Sequence, residues 1–104
     1  YHGWHDWCLP LDPSVPAGLD AQVLEYDSND PASLEALFDA HPGEIAAVIL
    51  APEMVAPATR EAYLALQQAC RRHGALFVLD EVKTAFRTAP GSMQARFGLE
   101  PDLT

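Results

Sequence analysis

Basic residues are scarce in this sequence. Six Lys and Arg stand against 15 Asp and Glu, which gives a formal net charge of −9 at pH 7 across 104 residues. Because phosphate contacts need clustered Lys and Arg, this balance argues against a nucleic-acid-binding protein. The same acidity disfavours binding to an anionic membrane surface. We therefore expect neither nucleic acid nor membrane among the partners.

Long apolar runs and paired cysteines are lacking as well. No run approaches the roughly 20 apolar residues that a membrane-spanning helix needs. Cys8 and Cys70 lie far apart and in no paired motif, so they do not indicate a disulfide framework. Reduced thiols in a cytoplasmic protein are the simpler interpretation.

The sequence also lacks an initiator Met and the basic-then-apolar start of a signal peptide. We expect both ends to be cuts through a larger fold, so that residues 1–104 form one partial domain.

A metal site is the first candidate near the start of the chain. His2, His5 and Cys8 recur every three residues, a spacing that zinc ligands can have. Trp4 and Trp7 are interleaved with them, which is more typical of an apolar segment than of a ligand cluster. We expect no metal site.

The middle of the chain shows an alternation of strand and helix patterns. Residues 22–26 alternate weakly and predict a short strand. Asp30 is a good N-cap with Pro31 at the first helical position. Leu34, Leu37, Phe38 and His41 then fall on one face of a helix.

A βαβ unit follows this first helix. Residues 45–50 are a continuous apolar run, residues 58–73 have helical periodicity, and residues 75–79 are a second apolar run. Such runs predict strands buried on both faces. A strand, helix and strand over about 35 residues form a unit with parallel strands, so we predict an α/β fold.

The most informative residue is Asp80, which directly follows the second apolar run. The carboxyl ends of strands in open α/β sheets are where ligands bind. An acid at this position can also simply cap the next turn. Two catalytic interpretations compete with that structural role.

The first interpretation is a Walker-B-like strand of an ATPase, since four apolar residues precede Asp80 and Glu81. Asp80 would help to hold Mg²⁺ and Glu81 would orient water. This role requires a phosphate-binding Gly-x-x-x-x-Gly-Lys-Ser/Thr loop, which the sequence does not contain. A non-catalytic α/β interaction domain is a further alternative.

The second interpretation is a pyridoxal-phosphate (PLP) site. There a carboxylate on a rigid strand end pairs with the ring nitrogen and keeps it protonated, so that the ring withdraws electrons from the substrate's α-carbon. Asp80 has the right position for this role.

Four stretches favour the PLP interpretation: Tyr-His-Gly at 1–3, Gly-Glu-Ile-Ala-Ala-Val-Ile-Leu at 43–50, Asp-Glu-Val-Lys-Thr-Ala-Phe-Arg at 80–87, and Gln-Ala-Arg-Phe-Gly with Pro-Asp-Leu-Thr within 94–104. In this order they resemble the class III PLP-dependent aminotransferases, and within that family the glutamate-1-semialdehyde 2,1-aminomutase group. The resemblance covers nearly the whole chain.

The resemblance implies a three-layer α/β piece of a fold type I large domain that contributes to a PLP site. Asp80 matches the acid at the ring nitrogen, while Tyr1 and Val82 match the residues on the two ring faces. It also implies a homodimer that moves an amino group from an amino donor to a keto or aldehyde acceptor, or within one molecule. The Schiff-base lysine is expected beyond Thr104, which leaves this chain with no catalytic residue and no activity of its own.

Several positions depart from the family pattern. After Leu50 the family usually has Glu-Pro, whereas residues 51–53 here are Ala-Pro-Glu. Phe86 follows Ala85 rather than Gly, and Lys83 stands where the aminomutases often have Met. These differences leave aminomutase and transaminase activity equally open.

Lys83 is the single lysine of the sequence, yet we predict that it does not carry the cofactor. With Asp80 at the ring nitrogen, the aldehyde carbon lies para to it, and Lys83 would have to reach around the face covered by Val82. Borohydride reduction of the full-length holoenzyme and peptide mass mapping should label a lysine beyond Thr104. A label on Lys83 would contradict this prediction and the placement of Asp80.

Overall fold

The computed structural model of this protein describes residues 22–104. The described residues form three helices and two strands in the order α1 (Pro31–Ala40), β1 (Ala47–Leu50), α2 (Arg60–His73), β2 (Leu76–Leu79) and α3 (Ser92–Phe97). The predicted first helix and the predicted βαβ unit are all present. The α/β class is confirmed.

Helix α1 begins as the sequence predicts. Asp30 is the N-cap, and its carboxylate Oδ1 accepts the Ala32 N–H at 3.1 Å. Pro31 takes the first helical position, where the missing N–H costs nothing because the first amides of a helix have no intrahelical partner. Leu34 and Phe38 are buried, so the predicted apolar face is the face that packs.

Helix α2 is capped at both ends by residues that favour helix termini. The Thr59 hydroxyl accepts the Ala62 N–H at 3.1 Å, and Gly74 ends the helix at a φ of 71°, a conformation that favours glycine. Its buried face supplies a large part of the core: Ala62, Tyr63, Leu66, Gln67, Ala69 and Cys70. Arg71 and Arg72 lie in the last turn, where cations stabilise the helix dipole.

The two strands pair in parallel, as predicted. Ala47 pairs with Leu76 and Leu50 with Leu79 at the two ends of the register. On its other edge β2 forms an isolated parallel bridge between Val78 and Leu103. Strand β2 therefore has backbone partners on both edges, β1 on one and the segment around Leu103 on the other.

The strands are not buried on both faces within residues 22–104, and that prediction is wrong for this part of the chain. Both strands alternate, and the buried members are Val48, Leu50, Phe77 and Leu79. Helix α2 packs on β2 and covers this face. On the opposite face the side chain of Leu76 is 48% exposed. A continuous apolar run thus marks a strand, but burial depends on which neighbouring elements cover it.

Residues 22–26 do not form a strand, contrary to the prediction. Residue 22 is assigned to a 3₁₀ turn, and residues 23–26 have no regular secondary structure. Tyr26 reaches β1 through its side chain instead, and its hydroxyl donates to the Ile49 carbonyl at 3.1 Å. Weak alternation over five residues did not predict pairing, because such a pattern does not show whether a segment reaches a neighbouring strand.

None of the helices within residues 22–104 combines the length and the apolar character needed to cross a membrane.

We predict that this core loses stability in alkaline solution. Burial raises the pKa of the Cys70 thiol from its ordinary value of 9.0 to about 11, and burial also raises the pKa of Tyr26 and of Tyr63. The folded state then binds more protons than the unfolded state between about pH 9 and pH 11. The free energy of unfolding should therefore stay level up to about pH 9 and fall above it, by at most about 1.4 kcal/mol per pH unit for each group.

Urea unfolding of the full protein between pH 7 and pH 10.5 measures this fall. Cys70→Ala removes the first of these groups to titrate, so its unfolding free energy should decline less steeply between about pH 9 and pH 10. Equal slopes for the two proteins would contradict the role of Cys70.

Candidate functional site

The candidate site is the turn that leaves the carboxyl end of β2. Asp80 follows Leu79 directly, and its N–H donates to the Leu50 carbonyl at 2.8 Å, so the strand pairing extends to the acid. The Leu79 N–H donates to the Leu103 carbonyl at 3.0 Å on the other side. Asp80 thus follows a strand whose backbone is hydrogen-bonded on both edges.

Asp80 and Val82 are brought together by this turn. The Asp80 carboxylate Oδ1 accepts the Val82 N–H at 2.9 Å, which fixes the first rotatable bonds of the acid. Asp80 is half-buried, whereas the side chain of Val82 is 86% exposed. A carboxylate and an exposed branched side chain therefore lie next to each other at the carboxyl end of the sheet.

Other residues named from the sequence lie outside the described residues. These are Tyr1, the proposed stacking aromatic, and the metal candidates His2, His5 and Cys8. The stacking role of Tyr1 and the expected absence of a metal site therefore stay predictions.

Glu81, the second acid after β2, is buried. It is only 7% exposed, and its carboxylate accepts the Thr84 hydroxyl at 2.9 Å, the Met93 N–H at 3.0 Å and the Gln94 N–H at 3.2 Å. The last two amides belong to the first turn of α3, whose N-cap Gly91 offers no side-chain acceptor. Glu81 caps this helix from a distance of about a dozen residues.

This capping role argues against the ATPase interpretation. A carboxylate that orients an attacking water needs an oxygen directed at that water. Both oxygens of Glu81 instead accept hydrogen bonds from the protein's own N–H and O–H groups. Ordinary N-caps lie next to the first helical residue, so nothing local in the sequence could have revealed the pairing.

The rest of the turn is tight and locally strained. Phe86 and Ser92 have positive φ values of 58° and 60°, a left-handed conformation that is rare for non-glycine residues. The Phe86 N–H donates to the Ser92 hydroxyl at 3.0 Å, which links the two strained positions. A Cβ on Gly91 would come within 2.5 Å of the Ala95 Cβ, so the turn leaves room only for glycine there.

The loop after β1 lies at the same end of the sheet. Glu53 is exposed in this loop, while Pro52 is buried. The loop is tied to α2, because the Tyr63 hydroxyl accepts the Ala58 N–H at 3.1 Å. The displaced acid of residues 51–53 therefore stands in solvent.

The chain matches curated proteins along its whole length. It is 43% identical over 120 residues to the glutamate-1-semialdehyde 2,1-aminomutase of Sorangium cellulosum, an alignment that covers 100% of this chain and 28% of that protein. It is 42% identical over 103 residues to the 2'-deamino-2'-hydroxyneamine transaminase of Streptomyces kanamyceticus, covering 98% and 26%. The chain thus spans about a quarter of the length of these relatives. No family model matches it.

Solved structures give the same picture for the fold. The PLP internal aldimine form of the FumI protein of Sphingopyxis sp. MTA144 superposes with a TM-score of 0.85 at 36% identity, over 98% of this chain and 26% of that one. An omega-transaminase from Sphaerobacter thermophilus superposes with a TM-score of 0.82 at 26% identity, over 98% and 28%.

The strained turn yields a prediction on stability. Phe86 is 82% exposed, so shortening its side chain removes little buried surface. Phe86→Gly should stabilise the protein by about 1 kcal/mol relative to Phe86→Ala, since glycine adopts a positive φ without the cost that a Cβ brings.

The comparison of these two variants by urea unfolding isolates the backbone term, because both lack the aromatic ring. Equal unfolding free energies for the two would show that the left-handed conformation costs nothing here.

Proposed function

By sequence and by fold this chain corresponds to a segment of the PLP-dependent aminotransferases and aminomutases, and we propose that the protein catalyses PLP-dependent amino transfer. The observation that carries the proposal is the position of Asp80, a half-buried carboxylate at the carboxyl end of the parallel strand β2. An exposed Val82 lies beside it. This pair fits a planar, protonated heteroaromatic ring.

Asp80 would accept a hydrogen bond from the ring nitrogen and hold the proton there. When bound, the cofactor supplies a sink for the electron pair released at the substrate's α-carbon. A fixed carboxylate stabilises the charged ring without having to reorganise during the reaction. The hydrogen bond from the Val82 N–H keeps the Asp80 side chain in one orientation.

Val82 would pack on one face of the ring and Tyr1 on the other. A branched aliphatic and an aromatic side chain keep both faces dry and fix the ring's orientation. The lysine that carries the cofactor is expected beyond Thr104, so residues 1–104 would form part of a PLP-binding large domain.

The partners of the full protein follow from the same proposal. They are an amino donor and a keto or aldehyde acceptor, with a second copy of the protein completing a homodimer in the cytoplasm. Transfer between two molecules and transfer within one molecule remain two outcomes to be distinguished with substrates.

Removal of the Asp80 charge tests the proposal. Asp80→Asn and Asp80→Ala in the full protein should lower turnover on the order of 10²–10³-fold, as expected when a preorganised electrostatic partner of the reacting group is removed. Both should also weaken PLP binding. Single-turnover absorbance spectra should locate the loss in the α-proton step.

Asp39→Asn on exposed α1 is the matched control and should leave turnover unchanged. Near-normal turnover of a folded Asp80→Asn protein would rule out the assignment. ATP hydrolysis that depends on Asp80 would establish the ATPase alternative in its place.

A further inference from the structure

The buried Glu81 carboxylate ties two ends of the site turn together. One oxygen accepts both the Thr84 hydroxyl at 2.9 Å and the Met93 N–H at 3.0 Å, and the other accepts the Gln94 N–H at 3.2 Å. Thr84 is itself fully buried. A charged acceptor in such a place is stable only while these donors remain in position.

The backbone of Glu81 is fixed by the same turn. Its carbonyl accepts the Thr84 N–H at 3.0 Å and the Ala85 N–H at 2.8 Å. The peptide bond that joins Asp80 to Glu81 lies between this carbonyl and the Asp80 N–H, which donates to the Leu50 carbonyl. A rotation of Glu81 would therefore move the peptide that carries Asp80.

Alternation places the two neighbouring acids on opposite sides of the strand end. Successive side chains of an extended segment point to opposite faces, so Leu79 and Glu81 share the covered side while Val78 and Asp80 share the other. The burial of Leu79 and Glu81 and the partial exposure of Val78 and Asp80 agree with this. Glu81 is thus anchored beneath the turn while Asp80 is presented above it.

We propose that Glu81 is a positioning residue, which locks the turn from beneath and thereby sets the orientation of Asp80 and Val82 toward the cofactor. The inference rests on the proposed function, since it assigns a task to Asp80. Glu81 itself would touch neither cofactor nor substrate.

Glu81→Gln in the full protein is the direct test. Glutamine has nearly the same shape, but its NH₂ would face an N–H or O–H donor, so at least one of the three hydrogen bonds must be lost. The PLP dissociation constant should rise about tenfold, as is typical when the support of a ligating group is removed. In the cofactor-free protein the amides of Val82 and Thr84 should exchange hydrogen faster.

Glu61→Gln is the matched control, because Glu61 is an exposed carboxylate in the first turn of α2. It should change neither measurement. If Glu81→Gln fails to fold, Thr84→Val removes one donor at nearly constant volume and without a change of charge. Thr84→Val should also raise the PLP dissociation constant and speed hydrogen exchange of the Val82 and Thr84 amides. Unchanged values of both would overturn the proposal.

A double-mutant cycle separates positioning from a general structural role. If Glu81 acts through Asp80, the combination of Glu81→Gln and Asp80→Asn should weaken PLP binding by less than the product of the two single effects. If the effects of Glu81→Gln and Asp80→Asn on the PLP dissociation constant simply multiply, the positioning role is overturned. If Asp80→Asn binds PLP more weakly but Glu81→Gln binds it normally, this inference alone is overturned. If Asp80→Asn itself binds PLP normally, the proposed function and the inference are overturned together.

Discussion

The hydrogen bond from the Asp80 N–H to the Leu50 carbonyl is the last bond of the parallel pairing, and the site depends on it. It carries the register of β1 and β2 one residue beyond the strands, so the acid emerges at a fixed height above the sheet. The segment around Leu103 holds the other edge of β2. A side chain whose backbone is hydrogen-bonded on both sides has little freedom to move, as a precisely placed functional group requires.

The turn after β2 is held by the buried acid Glu81 and not by apolar packing alone. Glu81 replaces the N-cap that Gly91 cannot supply, and Gly91 is needed because Ala95 leaves no room for a Cβ. The left-handed residues Phe86 and Ser92 lie in the same turn. Backbone strain of this kind persists only where the surroundings over-determine the conformation, and it clusters at functional sites. The hydrogen bonds of Glu81 provide such an over-determination.

The two acids after β2 look alike in sequence but have different surroundings. Asp80 is half-buried next to an exposed Val82, and Glu81 is enclosed by donors from its own chain. This difference weighs against the ATPase interpretation, in which the second acid must face a water molecule. It agrees with the likeness to proteins named as aminotransferases and aminomutases.

The sequence by itself determined the local elements of the βαβ unit and the candidate acid. Asp30 followed by Pro31 was enough to mark the start of α1, and the helical periodicity of residues 58–73 was enough to place α2. Asp80 was identified as the candidate acid because it directly follows an apolar run, and such a run predicts a strand that ends there.

Only the tertiary structure decided which faces of the strands are covered and what the second acid does. Burial of β1 and β2 depends on where helices pack, and the apolar runs themselves could not report it. Glu81 meets the first turn of α3 across about a dozen residues, through a turn whose path is set by Phe86 and Ser92. Contacts that close over such a distance are fixed by the packing of the elements that carry them, and no local pattern in the sequence records them.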